Sequence, residues 1–92
     1  ITRAMSWLDA GSDAPDFLFL HLFDAHAPYA LHGLPEDAAP STRYDAEIAA
    51  MGRALEPLFA RLEARGRPFV LVLTGDHGEG LGDHGEPDHG LM

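Results

Sequence analysis

The chain contains neither cysteine nor lysine. Without cysteine, these residues can form no disulfide bond, no thiolate zinc site and no thiol nucleophile. All six basic side chains are arginines, against 15 acidic residues, so the formal net charge is −9. Because a strongly acidic chain repels a phosphate backbone, we expect no nucleic-acid partner.

Long apolar runs are missing as well. No stretch reaches the roughly 18 consecutive apolar residues of a membrane-spanning helix, so we expect no transmembrane segment in these residues. The first five residues lack both a starting methionine and the pattern of a signal peptide, and the sequence is typical of an excerpt. A chain of 92 residues buries only about 60–65% of its unfolded surface, so we expect it to need more chain for stability.

Two segments have helical spacing. Apolar residues at i, i+3, i+4 and i+7 predict a short first helix: Ile1, Ala4, Met5 and Leu8. A longer set predicts an amphipathic helix further on: Tyr44, Ile48, Met51, Leu55, Leu58, Phe59 and Leu62. Thr42 and Asp45 resemble a capping box at its start, Pro57 predicts a kink, and Gly66 predicts its end.

Two short apolar runs flank the long helix. Residues 17–23 and 69–73 have the length and composition of buried strands rather than half-exposed ones. Strand, helix and strand in this order predict a right-handed crossover with parallel strands, an α/β fold. Ligands gather beyond the carboxyl ends of such strands, where Asp24, His26, Asp76 and His77 stand.

Residues 75–90 combine glycine with three Asp-His pairs, two further glutamates and no basic side chain. Carboxylate oxygen and neutral imidazole nitrogen suit divalent cations, and glycine lets neighbouring ligands converge. The alternative is a solvated, flexible acidic loop with surface histidines. Neither the EF-hand pattern nor the His-Glu-x-x-His pattern is present, so those metal-site classes are not supported.

The segment 24–29 is the second candidate. Its histidine, His26, could contact an anionic substrate or protonate a leaving oxygen, whereas the alternative is an Asp-capped turn with a packed tyrosine. His21 lies inside an apolar run and is predicted to be a core residue, and His32 a surface residue. The solvated face of the long helix is predicted to carry three arginines: Arg53, Arg61 and Arg65.

The order of these segments is more specific than any one of them. It runs through Phe-Asp-Ala-His-Ala-Pro-Tyr (residues 23–29), Tyr-Asp-Ala-Glu-Ile (44–48), Leu-Thr-Gly-Asp-His-Gly-Glu (73–79), Leu-Gly-Asp-His-Gly (81–85) and His-Gly (89–90). In this order the chain resembles the sulfatases of the alkaline phosphatase superfamily. The resemblance implies that residues 1–92 are part of a sulfatase catalytic domain, a fragment of a parallel sheet sandwiched by helices.

The resemblance also implies the site. Asp76 and His77 match the family's metal-binding pair, and the implied ion is Ca²⁺, with Mn²⁺ and Zn²⁺ as alternatives. His26 matches a histidine that contacts the sulfate or the leaving oxygen, although Ala25 replaces the usual proline before it. His89 fits best the position of a further anion-contacting residue. The implied substrate is a small-molecule or glycan sulfate ester, and the resemblance leaves the compartment and the oligomeric state open.

Two family features are absent from these residues. There is no Cys/Ser-x-Pro-x-Arg segment to supply the nucleophile, and no N-terminal acidic metal pair. We therefore expect residues 1–92 alone to be inactive. A phosphodiesterase, a phosphonate hydrolase or a phosphoethanolamine transferase of the same superfamily remains an alternative, as does a non-catalytic metal-binding module.

Overall fold

In a computed structural model, the structure describes residues 1–11, 13–30, 33–35, 37–86 and 89. Helix α1 covers Thr2–Asp9 and helix α2 covers Pro40–Ala64, and a single 3₁₀ turn follows at Asp83–Gly85. The two helices expected from apolar spacing are therefore present. Within the described residues, neither helix combines the length and apolar character needed to cross a bilayer.

The ends of α2 differ in how well they were predicted. The helix begins at Pro40 after Ala39, with no side-chain cap, so the capping box at Thr42 and Asp45 is wrong. Proline suits the first helical position because its missing N–H has no partner there in any helix. At the other end Gly66 follows the helix with φ +61°, a left-handed conformation that glycine adopts without strain, as the sequence predicted.

The core lies between the two helices. Ala4 and Leu8 of α1 are buried against Leu55 and Leu58 of α2. Several other apolar side chains pack around these four: Ile1, Met5, Leu20, Leu22, Met51, Phe59 and Leu62. The apolar stripe of α2 is confirmed except at Ile48, which is 40% exposed, while the adjacent Glu47 is buried.

The predicted α/β fold is wrong. In the described part of the chain there are helices and no strands, and both apolar runs, 17–23 and 69–73, lie outside regular secondary structure. No backbone hydrogen bond joins the two runs. A β-strand is defined by its backbone hydrogen bonds to a neighbouring strand. An apolar run therefore indicates that a segment favours burial, but it does not by itself form a sheet.

The two runs nevertheless lie beside each other. Both line a cleft of about 310 Å³, with Phe17 on one side and Val72 on the other. In the first run, Leu20 and Leu22 pack against the helical core, whereas Phe17 is 86% exposed. This alternation is typical of extended backbone with one face covered, not of the fully buried run that the sequence predicted.

Arginines at the end of α2 hold the chain that follows α1. Arg65 Nη2 lies 2.6 Å from Asp16 Oδ2, and Arg67 Nη2 donates to the Asp13 carbonyl at 3.1 Å. Arg61 pairs with Asp9, the last residue of α1. The prediction of a solvated arginine face is therefore wrong for Arg65, whose side chain is mostly covered, whereas Arg61 is exposed although it is ion-paired.

We expect the Arg65 pair to stabilise the fold more than the Arg61 pair. The side chains of Arg65 and Asp16 are 17% and 20% exposed, against 43% and 48% for Arg61 and Asp9. Water screens the exposed pair more strongly, so its coupling should be below about 0.5 kcal/mol, against about 1 kcal/mol for the partly buried pair.

Double-mutant cycles on the full-length protein measure both couplings by urea unfolding. Asp16→Asn with Arg65→Met tests the first pair, and Asp9→Asn with Arg61→Met is the matched control. A larger coupling between Asp9 and Arg61 than between Asp16 and Arg65 would contradict this ranking of the two ion pairs.

Candidate active site

Asp76 and His77 follow the second apolar run directly. The backbone N–H of His77 donates to Asp76 Oδ1 at 3.1 Å, and this contact fixes the carboxylate beside the imidazole. The Asp76 side chain is 82% exposed. A hydrogen bond from its own backbone N–H and the charge of nearby His77 lower the pKa of Asp76 below the ordinary 3.8. Asp76 is therefore ionised at neutral pH, the form that binds a cation.

The hydrogen bond of His77 determines which ring nitrogen can act as a ligand. His77 Nδ1 lies 2.8 Å from the Gly78 carbonyl oxygen. Since a carbonyl can only accept, Nδ1 carries the proton and donates it. In a neutral ring the lone pair then sits on Nε2, which lies 3.7 Å from Asp76 Oδ2.

His77 Nε2 and Asp76 Oδ2 could together supply two ligands of a divalent metal site. Metal–ligand distances of about 2.0–2.5 Å allow a nitrogen and an oxygen 3.7 Å apart to bind the same ion. Carboxylate oxygen with imidazole nitrogen is a donor set accepted by Ca²⁺, Mn²⁺ and Zn²⁺ to differing degrees. In the described ranges, no group of three or more acidic, histidine or cysteine side chains could hold a metal. Asp76 and His77 therefore fit the implied ion as two ligands of an incomplete set.

His89 lies against the metal-binding candidate. Its ring stacks on His77, with centroids 3.9 Å apart and an interplanar angle of 22°. Its Nδ1 lies 3.3 Å from Glu79 Oε2, in a partly buried contact. An ionised carboxylate only accepts hydrogen bonds, so this pairing places a His89 proton on Nδ1.

His26 reaches the same cluster from the end of the first apolar run. Its ring stacks on Phe23 at 4.3 Å and meets His89 edge-on at 6.3 Å, both distances between ring centroids. Its Nδ1 donates to the Ala27 carbonyl oxygen at 2.8 Å. All three imidazoles thus have Nδ1 within hydrogen-bond distance of an oxygen atom.

A cleft of about 440 Å³ opens beside the stacked rings. Its lining is mostly acidic and imidazole side chains with glycines: His77, Gly78, Glu79, Gly80, Asp83, His84, Glu86 and His89. The 3₁₀ turn shapes one side, and Gly82 takes φ +93° to enter it. The cleft therefore combines a candidate metal ligand, His77, with a candidate proton donor, His89.

The structure brings the predicted site residues together, though not all into this cleft. His77 and His89 line it, whereas Asp76 and His26 contact those two rings from outside its walls. His32, predicted to be a surface residue, lies outside the described residues, as do residues 87, 88 and 90 next to His89. The roles assigned to the four residues stay predictions.

Two members of the cluster were missed from the sequence. Glu79 was part of a recognised motif but had no role, because nothing in sequence spacing pairs it with a histidine ten positions later. Phe23 was assigned to the first apolar run and to the 23–29 motif, but had no role at the site. An aromatic ring three residues before a candidate histidine was the available signal, since a chain reversal at residues 24 and 25 brings the two rings together.

The comparison with protein families agrees with the motifs. The model of the Sulfatase family matches residues 1–91, nearly the whole chain. Neither the curated proteins nor the solved structures contain a match. The family resemblance stated from the motifs is confirmed, and the chain belongs to the sulfatase family.

Proposed function

We propose that this chain is part of the catalytic domain of a metal-dependent sulfatase that cleaves a small-molecule or glycan sulfate ester. Membership of the sulfatase family supports hydrolase activity in general. The observation that carries the finer proposal is the histidine cluster, in which His77 and His89 stack at 3.9 Å with Asp76 alongside. It combines metal ligands with proton donors at one place.

Asp76 and His77 would hold the ion, which we propose to be Ca²⁺, through Oδ2 and Nε2. When bound, the ion would offset the negative charge of the sulfuryl oxygens. The low pKa of Asp76 keeps its carboxylate charged at neutral pH, and the Gly78 carbonyl keeps the His77 proton on Nδ1. Asp76 is therefore in the form that a cation needs, and His77, when neutral, would offer the lone pair of Nε2.

His26 and His89 would act on the ester oxygens. Hydrolysis breaks the bond between sulfur and the ester oxygen, and that oxygen leaves as an alcohol after taking a proton. In both rings Nδ1 is bonded to an oxygen acceptor, so Nε2 is the nitrogen that would contact the sulfate or deliver that proton. The nucleophile would come from outside residues 1–92, which contain no Cys/Ser-x-Pro-x-Arg segment.

The test compares esters of the same phenol on the purified full-length protein. We expect hydrolysis of nitrophenyl sulfate, loss of that activity with a chelator, and recovery when Ca²⁺ is added. Bis(nitrophenyl) phosphate is the matched substrate, because it has the same leaving group on phosphorus. Faster cleavage of the phosphodiester would favour the phosphodiesterase alternative, and metal binding without turnover of either ester would favour a non-catalytic module.

A further inference from the structure

Glu79 is a buried carboxylate beside the stacked rings. Its side chain is 7% exposed, and among the residues that the structure describes its inaccessible Oε1 has no hydrogen-bond partner. Burying a charged carboxylate is costly unless it is paired. The contact of its other oxygen, Oε2, with His89 Nδ1 at 3.3 Å is therefore the pairing that offsets part of this cost.

His89 differs from the other two histidines in its acceptor. His26 and His77 each donate from Nδ1 to the carbonyl of the next residue, a bond made by the local backbone. His89 instead bonds to a side chain ten positions earlier. The Nδ1 proton of His89 thus has a side-chain acceptor, which a substitution can change.

We propose that Glu79 is a positioning residue that keeps a proton on His89 Nδ1, so that a protonated His89 gives its Nε2 proton to the leaving oxygen, returns to the neutral Nδ1–H tautomer and regains the Nε2 proton from water. This role rests on the proposed sulfatase function. A carboxylate acceptor at Nδ1 fixes the proton on that nitrogen, and the His77 ring, stacked at 3.9 Å, limits rotation of the His89 ring.

The test is Glu79→Gln in the full-length protein, assayed on two sulfate esters. Glutamine keeps the shape, but its NH₂ group can donate to Nδ1 and so favour the wrong tautomer. An alkyl leaving group needs a proton, whereas nitrophenolate leaves without one. We expect kcat to fall at least about tenfold on an alkyl sulfate and less than about threefold on nitrophenyl sulfate.

Glu56→Gln on α2 is the control, since it removes the same charge from an exposed position. It should change kcat on neither ester. Equal losses on both esters in Glu79→Gln, or no loss, would overturn the proposal, because a general structural role does not depend on the leaving group.

Nitrogen NMR of the histidine rings supplies a readout independent of turnover. In the wild-type protein His89 should show a protonated Nδ1, and Glu79→Gln should lose this signature. An Nε2–H tautomer in the wild type would overturn the proposal even if Glu79→Gln fails to fold. Absence of turnover in the wild type would refute the sulfatase function alone, and the NMR result would then decide the Glu79 contact.

Discussion

Asp76→Ala should lower kcat/KM for a sulfate ester about a thousandfold at limiting metal. Losing a metal ligand removes most of the stabilisation that the ion would give to the transition-state charge. Asp76→Asn should behave similarly, because the amide keeps the shape but loses the charge that attracts the cation. The initial rate measured against Ca²⁺ concentration checks both variants.

Calorimetry separates a ligand from a merely neighbouring charge. Asp76→Ala should weaken Ca²⁺ binding at least about a hundredfold, more than loss of a group that only orients a ligand. Asp45→Ala, at an exposed position in α2, is the matched control and should leave the affinity unchanged. Loss of activity at unchanged metal binding would count against Asp76 as a ligand.

The second large effect is expected at His26. His26→Gln should lower kcat/KM about a hundredfold, the typical loss when one hydrogen-bond donor to the transition-state anion is removed. Its affinity for Ca²⁺ should stay within about threefold of wild type, since a residue that contacts the substrate does not hold the ion. Phe23→Leu removes the ring stacked 4.3 Å from His26 but keeps the imidazole, so its loss should be smaller, about tenfold.

Steady-state kinetics and calorimetry on the same preparations check these values. If His26→Gln weakened Ca²⁺ binding as strongly as Asp76→Ala, His26 would belong with the metal ligands. If it left kcat/KM unchanged, the resemblance that assigns it to the anion would be wrong at this position.

The helices could be predicted because their information is local. Leu8 in α1 and Leu55 and Leu58 in α2 follow the helical period, and these residues form the buried contact. The start of α2 was missed because Pro40 and Thr42 are both acceptable near a helix N-terminus, and spacing does not decide between them.

The sheet was mispredicted because pairing is not local. The run 69–73 is apolar at every position, yet Val70 is 91% exposed and no backbone hydrogen bond joins the run to residues 17–23. The hydrophobicity of a segment indicates that its burial is favourable, but it does not indicate which other segment's backbone would pair with it.

In the candidate site, too, contacts between chain neighbours could be predicted and contacts between residues far apart in the chain could not. Asp76 and His77 are neighbours in the chain, so their proximity followed from the motif. The contact between Glu79 and His89 depends on how the glycine-rich segment turns back, through Gly82 and the 3₁₀ turn, and no spacing rule reports that path. The burial of Glu47 likewise went unpredicted, because a glutamate in an amphipathic pattern is normally assigned to the exposed face.

Anomalous X-ray scattering from Mn²⁺ bound to crystals of the full-length protein tests the central claim most directly. We predict one strong peak within about 2.5 Å of both Asp76 Oδ2 and His77 Nε2, the range of metal–ligand bonds. A peak bound elsewhere in the protein, with Asp76 and His77 contacting no metal at saturating Mn²⁺, would contradict the account.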